Sequence, residues 1–136
     1  MKIKLDPGAI MPTRAHEADA GLDLYARNPA VILAHSSAIF DTGVHIELPP
    51  NTVGMLKSKS GLNVKYGLTS EGVIDEGYTG SIAVKLYNHS NSPYVVEAGD
   101  KISQLVILPI IRPTLEVVDS LEETERGAGG FGSSGR

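Results

Sequence analysis

The sequence contains no cysteine and no tryptophan, and it has no long apolar run. Without cysteine, disulfide bonds and zinc–thiolate sites are excluded. The four histidines show no close pairing of the kind that metal sites use, so a histidine-based metal site is not expected. No segment reaches the roughly 20 apolar residues of a membrane helix, and the N-terminus does not resemble a signal peptide. We therefore expect a cytoplasmic protein that does not associate with membranes.

The length and charge narrow the class of protein further. A chain of 136 residues, 41% of them hydrophobic, fits one domain with an ordinary core. The formal net charge of -4 argues against a nucleic-acid partner, because contacts with the phosphate backbone need a basic surface. A small anionic ligand is still compatible with this charge if its site is locally positive.

Short runs of alternating hydrophobicity dominate the sequence. The runs VHIEL (44–48) and SIAVKLYN (81–88) alternate as half-buried strands do, and QLVILPII (104–111) is a continuous apolar run typical of a buried strand. Turn clusters such as LPPN and EGYTG separate these runs. The pattern predicts an all-β sandwich or barrel.

Two segments depart from this pattern. In SKSGLNVKYG (58–67), Ser60 is predicted to cap one short helix that contains Leu62, Val64 and Lys65. The apolar pattern then stops after PTLEVV. We therefore predict a core domain over residues 1–118, followed by a linker and a glycine-rich arm over 119–136.

Two acidic positions could carry chemistry. Asp23 follows a glycine turn in EADAGLDLYA, where it either shapes the turn or holds a hydrated Mg²⁺, which often needs one carboxylate and the phosphates of a substrate. Asp75 follows the apolar residues of GVIDEGYTG, where it is either a turn residue or a partly desolvated general base. Tyr78, in the same turn, either packs in the core or lies flat on a sugar.

Basic and amide groups suggest an anionic ligand. Lys57, Lys59 and Lys65 surround a Ser-Gly turn at the predicted helix start, where unpaired N–H groups and Ser60 could bind an anion. The alternative is a capped turn with solvated lysines. Gln104 adds an amide donor beside buried positions.

The C-terminal stretch RGAGGFGSSGR is either a disordered tail or a mobile part of a site. Its glycines would let backbone N–H groups surround phosphate oxygens, and Arg126 can bind a phosphate through two donors. Phe131 offers a face on which a base could stack. Of the features of this stretch, Phe131 is the one that a disordered tail explains least.

Five stretches occur in the order of the five motifs of the trimeric dUTPase family, the deoxyuridine triphosphate nucleotidohydrolases. The sequence resembles this family over nearly its whole length. The stretches are AGLDLYA (20–26), SKSGL (58–62), GVIDEGYTG (72–80), AGDKISQLVI (98–107) and RGAGGFGSSG (126–135). The resemblance implies a distorted β-barrel or jelly-roll-like fold with one short helix and a flexible C-terminal arm.

The resemblance also assigns roles on the phosphate side of a site. It implies that Asp23 positions a hydrated Mg²⁺ on the triphosphate. It further implies that Ser60, Gly61 and Gln104 contact phosphates. Arg126 would bind phosphates from the arm.

Other roles concern the nucleoside and the attacking water. The resemblance implies that Asp75 orients and activates the water, and that Tyr78 packs on deoxyribose and leaves no room for a 2′-hydroxyl. The backbone of Gly72, Val73 and Ile74 would read the edge of uracil.

The resemblance implies that the C-terminal arm completes the site. Phe131 would cover the uracil, with Gly132 beside it, and Ser133 and Ser134 would bind phosphates.

Four positions differ from the usual family pattern. Lys59 replaces an arginine, so a point charge stands where a bidentate group is usual. Thr69 replaces a common asparagine six residues before Asp75, and we still expect Thr69 to contact the substrate. Gly77 replaces an acid, and Ser134 replaces a common threonine.

The function that follows from the resemblance is hydrolysis of dUTP to dUMP and pyrophosphate. Mg²⁺ is the expected cofactor, and the expected assembly is a homotrimer in which two subunits build each pocket and the arm of another closes it.

Three alternatives are open, of which one is another enzyme and two are proteins without catalytic activity. A dCTP deaminase shares the fold but lacks the glycine-rich arm with its phenylalanine. A non-catalytic regulatory protein on the same fold would not need Asp75. A structural β-sandwich explains none of the five stretches.

Overall fold

The computed structural model describes residues 1–132 and Gly135. These residues form eleven strands and one helix. The elements are β1 (Lys2–Leu5), β2 (Gly21–Tyr25), β3 (Ala30–Ile32), β4 (Ser37–Asp41), β5 (Val44–Glu47), β6 (Thr52–Lys57), α1 (Ser60–Tyr66), β7 (Leu68–Thr69), β8 (Glu71–Ile74), β9 (Ala83–Asn88), β10 (Tyr94–Val96) and β11 (Lys101–Pro109). The prediction of an all-β chain with one short helix is confirmed.

The strands pair antiparallel into four small sheets. The largest has the order β2-β11-β6-β8, and a three-stranded sheet has the order β4-β9-β7. Two strand pairs, β1-β5 and β10-β3, complete the fold. Because short strands separated by turns change partners often, no single ladder joins all of the strands in the described residues.

One hydrophobic core serves all four sheets. It includes Leu24 of β2, Ile46 of β5, Val84 of β9, Val96 of β10 and Leu105 of β11. The alternating runs predicted from the sequence point inward as expected. In β9 and just before it, Ile82, Val84 and Leu86 are buried while Ala83 and Tyr87 are exposed.

The apolar run in β11 is a strand, as predicted, but only its first half is buried. Ile102 and Leu105 lie in the core, whereas Leu108 and Ile111 are exposed. Within a single chain, the prediction of a buried strand is therefore wrong for the second half of β11. Apolar residues further along, at Leu115 and Val117, are exposed as well.

The N-cap of the helix lies one residue earlier than predicted. Lys59, with extended backbone angles, is the N-cap, and Ser60 is the first helical residue. The described side chains make no capping hydrogen bond at this end, so the predicted Ser60 cap is wrong. Gly67 ends the helix in the left-handed region at φ 66°, which glycine adopts without strain.

Candidate functional site

A buried carboxylate on β2 lies between two lysines. Asp23 is only 4% exposed, and its Oδ1 contacts the Nζ of Lys59. The Nζ of Lys101, on β11, lies 2.8 Å from its Oδ2. Burial alone would raise the pKa of Asp23, but the hydrogen bonds and charges of Lys101 and Lys59 outweigh it and hold that pKa below its ordinary value. We call these three residues the lysine–aspartate cluster, and its formal charge is +1.

The start of α1 adjoins this cluster. Asn63 N donates to Lys59 O at 2.9 Å, which is the first bond of the helix. The N–H groups of Ser60, Gly61 and Leu62 come before it and have no intrahelical acceptor, as at every helix start. The side of Gly61 on which a Cβ would lie is open within 4 Å. Both residues predicted to bind phosphate therefore present donors next to Lys59.

Gln104 lies in the middle of the same region. On β11 it is paired with Asp23 of β2 and with Lys57 of β6. Its Nε2 donates to Ser58 O at 3.0 Å. This bond gives Gln104 a structural role that the sequence did not reveal, because it fastens the segment before α1 to the central strand. One N–H of its amide remains for another acceptor.

Asp75 stands at the end of β8 in a tight turn. Tyr78 N donates to Asp75 O at 3.1 Å, and Gly77 adopts φ 92° in between. Asp75 is exposed, so this chain alone does not provide the partial desolvation that the sequence predicted. The positive φ gives a physical reason for glycine at position 77.

Glu76 fixes this turn from outside. Its Oε2 accepts a hydrogen bond from Asn51 N at 3.0 Å and from Arg112 Nη2 at 2.6 Å. The bonds from Arg112 and Asn51 lower the pKa of Glu76. The turn that carries Asp75 is therefore tied to the end of β11 and to the start of β6.

The side chain of Tyr78 extends along the backbone of the three residues that follow it. Its hydroxyl donates to Ser81 O at 3.0 Å, and the ring lies against Gly80. About half of the side chain is exposed. One face of the ring is therefore available to a ligand while the hydroxyl fixes its direction, and the prediction of a core tyrosine does not fit.

The strand before Asp75 lies at the edge of the four-stranded sheet. In β8, Gly72 is opposite Leu56 and Val73 is opposite Met55, both on β6. A Cβ on Gly72 would lie 2.9 Å from Leu56 Cδ1, so glycine permits this close pairing. Because β8 is terminal in the sheet order, backbone groups of Gly72, Val73 and Ile74 on its outer side have no strand partner in that sheet.

Thr69 belongs to a different sheet. It lies on β7, and its Oγ1 is 2.8 Å from His89 Nε2. The His89 ring stacks on Tyr87 at a centroid distance of 6.4 Å. The threonine hydroxyl is thus already hydrogen-bonded within the chain.

The two halves of the predicted site lie far apart in one chain. Asp23 is on β2 and Asp75 follows β8, and these are the two edge strands of the sheet. Three strand spacings combined with an offset of about four residues give a separation on the order of 20 Å. The chain brings Asp23, Lys59 and Gln104 together, but it does not bring Asp75 to them.

The hydrogen bonds described for the C-terminal arm lie within the arm itself. Arg126 Nε donates to Gly129 O at 2.9 Å, and Gly127 N donates to Thr124 O at 3.0 Å. Phe131 is fully exposed. Gly132 is described, with φ 89°, whereas the predicted phosphate ligands Ser133 and Ser134 lie outside the described residues.

The side chains at this site suit a Mg²⁺ ion that is already bound to a triphosphate better than a Mg²⁺ ion held by the protein alone. Within residues 1–132 and Gly135, no group of three or more histidine or acidic side chains could hold a metal ion. Asp23 is a single carboxylate with a lysine on each oxygen. Mg²⁺ keeps several waters and often takes one carboxylate plus substrate phosphates, so a water-mediated contact with Asp23 suits this chemistry.

Sequence patterns did not single out Lys101, Glu76, Arg112 or Gly80. Lys101, Glu76 and Gly80 lie inside the quoted motifs, and Glu76 follows the chosen Asp75 directly, but their contacts depend on how the chain folds. Arg112 is distant in sequence from Glu76.

The part of the chain that the structure describes contains no helix long and apolar enough to cross a membrane.

Curated relatives and a family model cover almost the entire chain. The family model described as dUTPase matches residues 8–135. The deoxyuridine 5'-triphosphate nucleotidohydrolase of Clostridium acetobutylicum is 45% identical over 135 residues, covering 97% of this chain and 93% of the relative. The enzyme of the same name from Kluyveromyces lactis is 41% identical and covers 100% and 94%.

Solved structures agree with the sequence matches. The dUTPase of Staphylococcus bacteriophage 80alpha with dUPNHPP superposes with a TM-score of 0.93 at 33% identity, covering 99% of this chain and 98% of that one. A mutant dUTPase from phage phi11 of S. aureus, described with a structural Mg(II) ion, gives a TM-score of 0.83 at 29% identity and covers 90% of this chain and 98% of that one. The resemblance drawn from the five motifs is confirmed, and the chain belongs to the dUTPase family.

Proposed function

We propose that this chain is a dUTP diphosphatase, which hydrolyses dUTP to dUMP and pyrophosphate in a Mg²⁺-dependent reaction. Relatives named for this activity support the proposal across nearly the whole chain. The observation that carries it is the turn after β8. There Asp75 and Tyr78 occupy one turn, fixed by the Tyr78 N–Asp75 O bond and by Glu76.

Asp75 would direct a water molecule to the α-phosphorus. The water oxygen forms a bond with the α-phosphorus while the bond between the α-phosphorus and the α,β-bridging oxygen breaks, and pyrophosphate leaves with that oxygen. The proton of the water passes to the Asp75 carboxylate. Because catalysis by a positioned base depends on geometry, the hydrogen bonds that fix this turn matter as much as the carboxylate.

The phosphates would lie at the lysine–aspartate cluster. Lys59 and the N–H groups of Ser60 and Gly61 lie together at the start of α1, where they would offset the charge that develops in the transition state. Gln104 has one amide N–H left for a phosphate oxygen, and Arg126 would add a charge from the arm. Mg²⁺, when bound, would neutralise part of the triphosphate charge, and Asp23 would hold it through water.

Selection of the nucleoside would use β8 and Tyr78. The unpaired outer edge of Gly72, Val73 and Ile74 suits a base that offers both donors and acceptors, and a base with the wrong pattern would leave backbone groups unpaired. The Tyr78 ring would pack on deoxyribose, where a 2′-hydroxyl would collide with it. Thr69, bound to His89, would support the adjoining segment rather than contact the base directly.

The distance between the two halves of the site supports an assembly of several subunits, which we propose is the homotrimer implied by the family resemblance. Since Asp23 and Asp75 are on the order of 20 Å apart in one chain, a complete site needs the β8 turn of one subunit beside the lysine–aspartate cluster of another. The exposed apolar half of β11 supplies a surface that such a contact could bury. The arm, including Phe131, Gly132, Ser133 and Ser134, would then close the site over the base and phosphates.

Pyrophosphate release is the test. Purified protein with Mg²⁺ should release pyrophosphate from dUTP and much less from dCTP, dTTP or UTP at equal concentration. Equal rates on all four would contradict the proposed specificity, and no release from any would contradict the enzyme assignment. Sedimentation equilibrium on the same sample should give three times the chain mass of 14.4 kDa.

A further inference from the structure

Two lysines bind the Asp23 carboxylate, but they belong to different parts of the fold. Lys59 is the N-cap of α1, next to the Ser60 and Gly61 amides. Lys101 begins β11 and is paired with Tyr25 of β2. The two ammonium groups engage opposite carboxylate oxygens, Oδ1 and Oδ2.

The backbone around Lys101 is held firmly. Just before it, Ala26 N donates to Asp100 O at 2.8 Å and Gly99 N donates to Ala26 O at 2.7 Å. Lys101 therefore reaches Asp23 from a fixed point of the central sheet. Lys59 lies outside any strand pairing, between the end of β6 and the first turn of α1, although the bond from Gln104 to Ser58 O fastens the residue before it.

A phosphate ligand at the helix start would compete with Asp23 for the Lys59 ammonium, whose three N–H donors would then be divided between the carboxylate and the phosphates. Asp23 is almost completely buried, and a buried carboxylate left without a partner is strongly destabilising. A second cation that stays in place removes this cost. Lys101 has that position, and its pKa is raised by the same hydrogen bond and charge.

We propose that Lys101 is a positioning residue for phosphate binding, which keeps Asp23 paired while Lys59 leaves the carboxylate for the substrate. This inference rests on the proposed function, since it gives the lysine–aspartate cluster a role in binding a nucleoside triphosphate. Two lysines on one carboxylate thus divide the work, one stationary and one exchanging between Asp23 and the ligand.

The substitution Lys101→Met should trap Lys59 on Asp23. Lys59 would then be the only counter-ion of a buried carboxylate, and its departure would cost more. Binding of the triphosphate should weaken by about tenfold, which corresponds to about 1.4 kcal/mol. Lys101→Arg, which keeps the charge, should bind close to the wild-type level.

A second substitution distinguishes this trapping from simple damage. In the Lys101→Met background, Asp23→Asn removes the charge that retains Lys59, so binding should recover most of the lost affinity. A merely structural role for Lys101 predicts the opposite, because adding a second change to a buried site would weaken binding further. The single variant Asp23→Asn should bind at least as tightly as wild type under the same metal-free conditions.

The experiment is calorimetric titration with the non-hydrolysable analogue α,β-imido-dUTP in EDTA, so that no metal contributes. Lys2→Met is the matched control, because Lys2 also forms an ion pair, with Glu47, but on the exposed surface. Lys101→Gln serves as a second variant if Lys101→Met does not fold by circular dichroism, and it should weaken binding in the same direction.

Weakened binding in Lys101→Met with recovery in the double variant supports the proposal. Unchanged binding in Lys101→Met, or weakening without recovery, overturns it while wild-type binding stands. If wild type itself fails to bind the analogue, with and without Mg²⁺, the proposed function and this inference both fail.

Discussion

The ring of Tyr78 occupies the space that a side chain at Gly80 would need. A Cβ built on Gly80 would lie 2.5 Å from Tyr78 Cζ and 2.9 Å from its Cε2. Because real Cβ atoms do not approach a rigid ring this closely, the glycine is what allows the ring to fold back and its hydroxyl to reach Ser81 O. The position of the proposed sugar-packing face therefore depends on a residue that contacts no substrate.

The substitution Gly80→Ala should displace the Tyr78 ring and weaken discrimination against ribose. We expect the ratio of kcat/KM for dUTP over UTP to fall by about tenfold, roughly 1.4 kcal/mol of lost discrimination. Steady-state kinetics with both substrates measure this ratio. Tyr78→Phe, which keeps the ring and loses only the bond to Ser81 O, is the control and should change the ratio much less. An unaltered ratio in Gly80→Ala would show that the ring does not set this specificity.

Phe131 should matter for turnover and not for folding. It is fully exposed, so Phe131→Ala should leave the melting temperature unchanged, while the loss of stacking on the base should reduce kcat/KM by about 10- to 100-fold. Phe131→Tyr keeps the stacking face and should retain most of the activity. Removal of the chain after Glu125 should reduce turnover at least as much and leave the proposed trimer folded. Full activity in the truncated protein would contradict a closing role for the arm.

Free Mg²⁺ should not bind detectably to the protein without substrate. Both Asp23 oxygens are ion-paired with lysines, and the described part of the chain offers no cluster of three acids or histidines. Calorimetry should therefore show no saturable Mg²⁺ binding at concentrations that support hydrolysis, whereas the same titration with α,β-imido-dUTP present should show it. Saturable binding to the ligand-free protein would point to a separate metal site.

His45 should make stability depend on pH near neutrality. Its Nδ1 lies 2.8 Å from Thr79 O and its Nε2 lies 3.1 Å from Asp6 Oδ2, and these two contacts raise its pKa, against smaller opposing effects from burial and from Lys4. Both partners accept hydrogen bonds, so they favour the protonated ring. The stabilisation is therefore fully present below the unfolded value of 6.5 and is lost as pH rises through the folded pKa.

Urea unfolding of wild type and His45→Gln, at equal protein concentration, measures this effect. The free energy of unfolding of wild type relative to the variant should fall as pH increases from about 6 to about 8. A difference that stays constant over this window, or that grows with pH, would contradict the assignment.

The strands of this fold could be read largely from alternation, whereas the contacts between distant residues could not. Val44 and Ile46 of β5 point inward as their spacing predicts. The second half of β11 is as apolar as a buried strand but is exposed in this chain, and in the proposed homotrimer a neighbouring subunit would cover it. Sequence alone could not distinguish burial in the core from burial between subunits.

The candidate site shows the same division. The motifs identified Asp23, Lys59 and Asp75, but not that Lys101 shares the Asp23 carboxylate, since this depends on the register between β2 and β11. Likewise, the order of motifs along the chain did not reveal that Asp23 and Asp75 lie on opposite edges of one sheet. Local composition predicts which residues have suitable chemistry, and strand pairing decides which of them meet.

The most direct test of the proposed reaction is hydrolysis of dUTP in ¹⁸O-labelled water with Mg²⁺, with mass spectrometry of both products. Attack of an Asp75-directed water on the α-phosphorus predicts that the label enters dUMP and not pyrophosphate. Asp75→Asn should slow this reaction by about 1,000-fold or more while α,β-imido-dUTP still binds. Label in pyrophosphate, no formation of dUMP by wild type, or an Asp75→Asn variant with full activity would contradict the account.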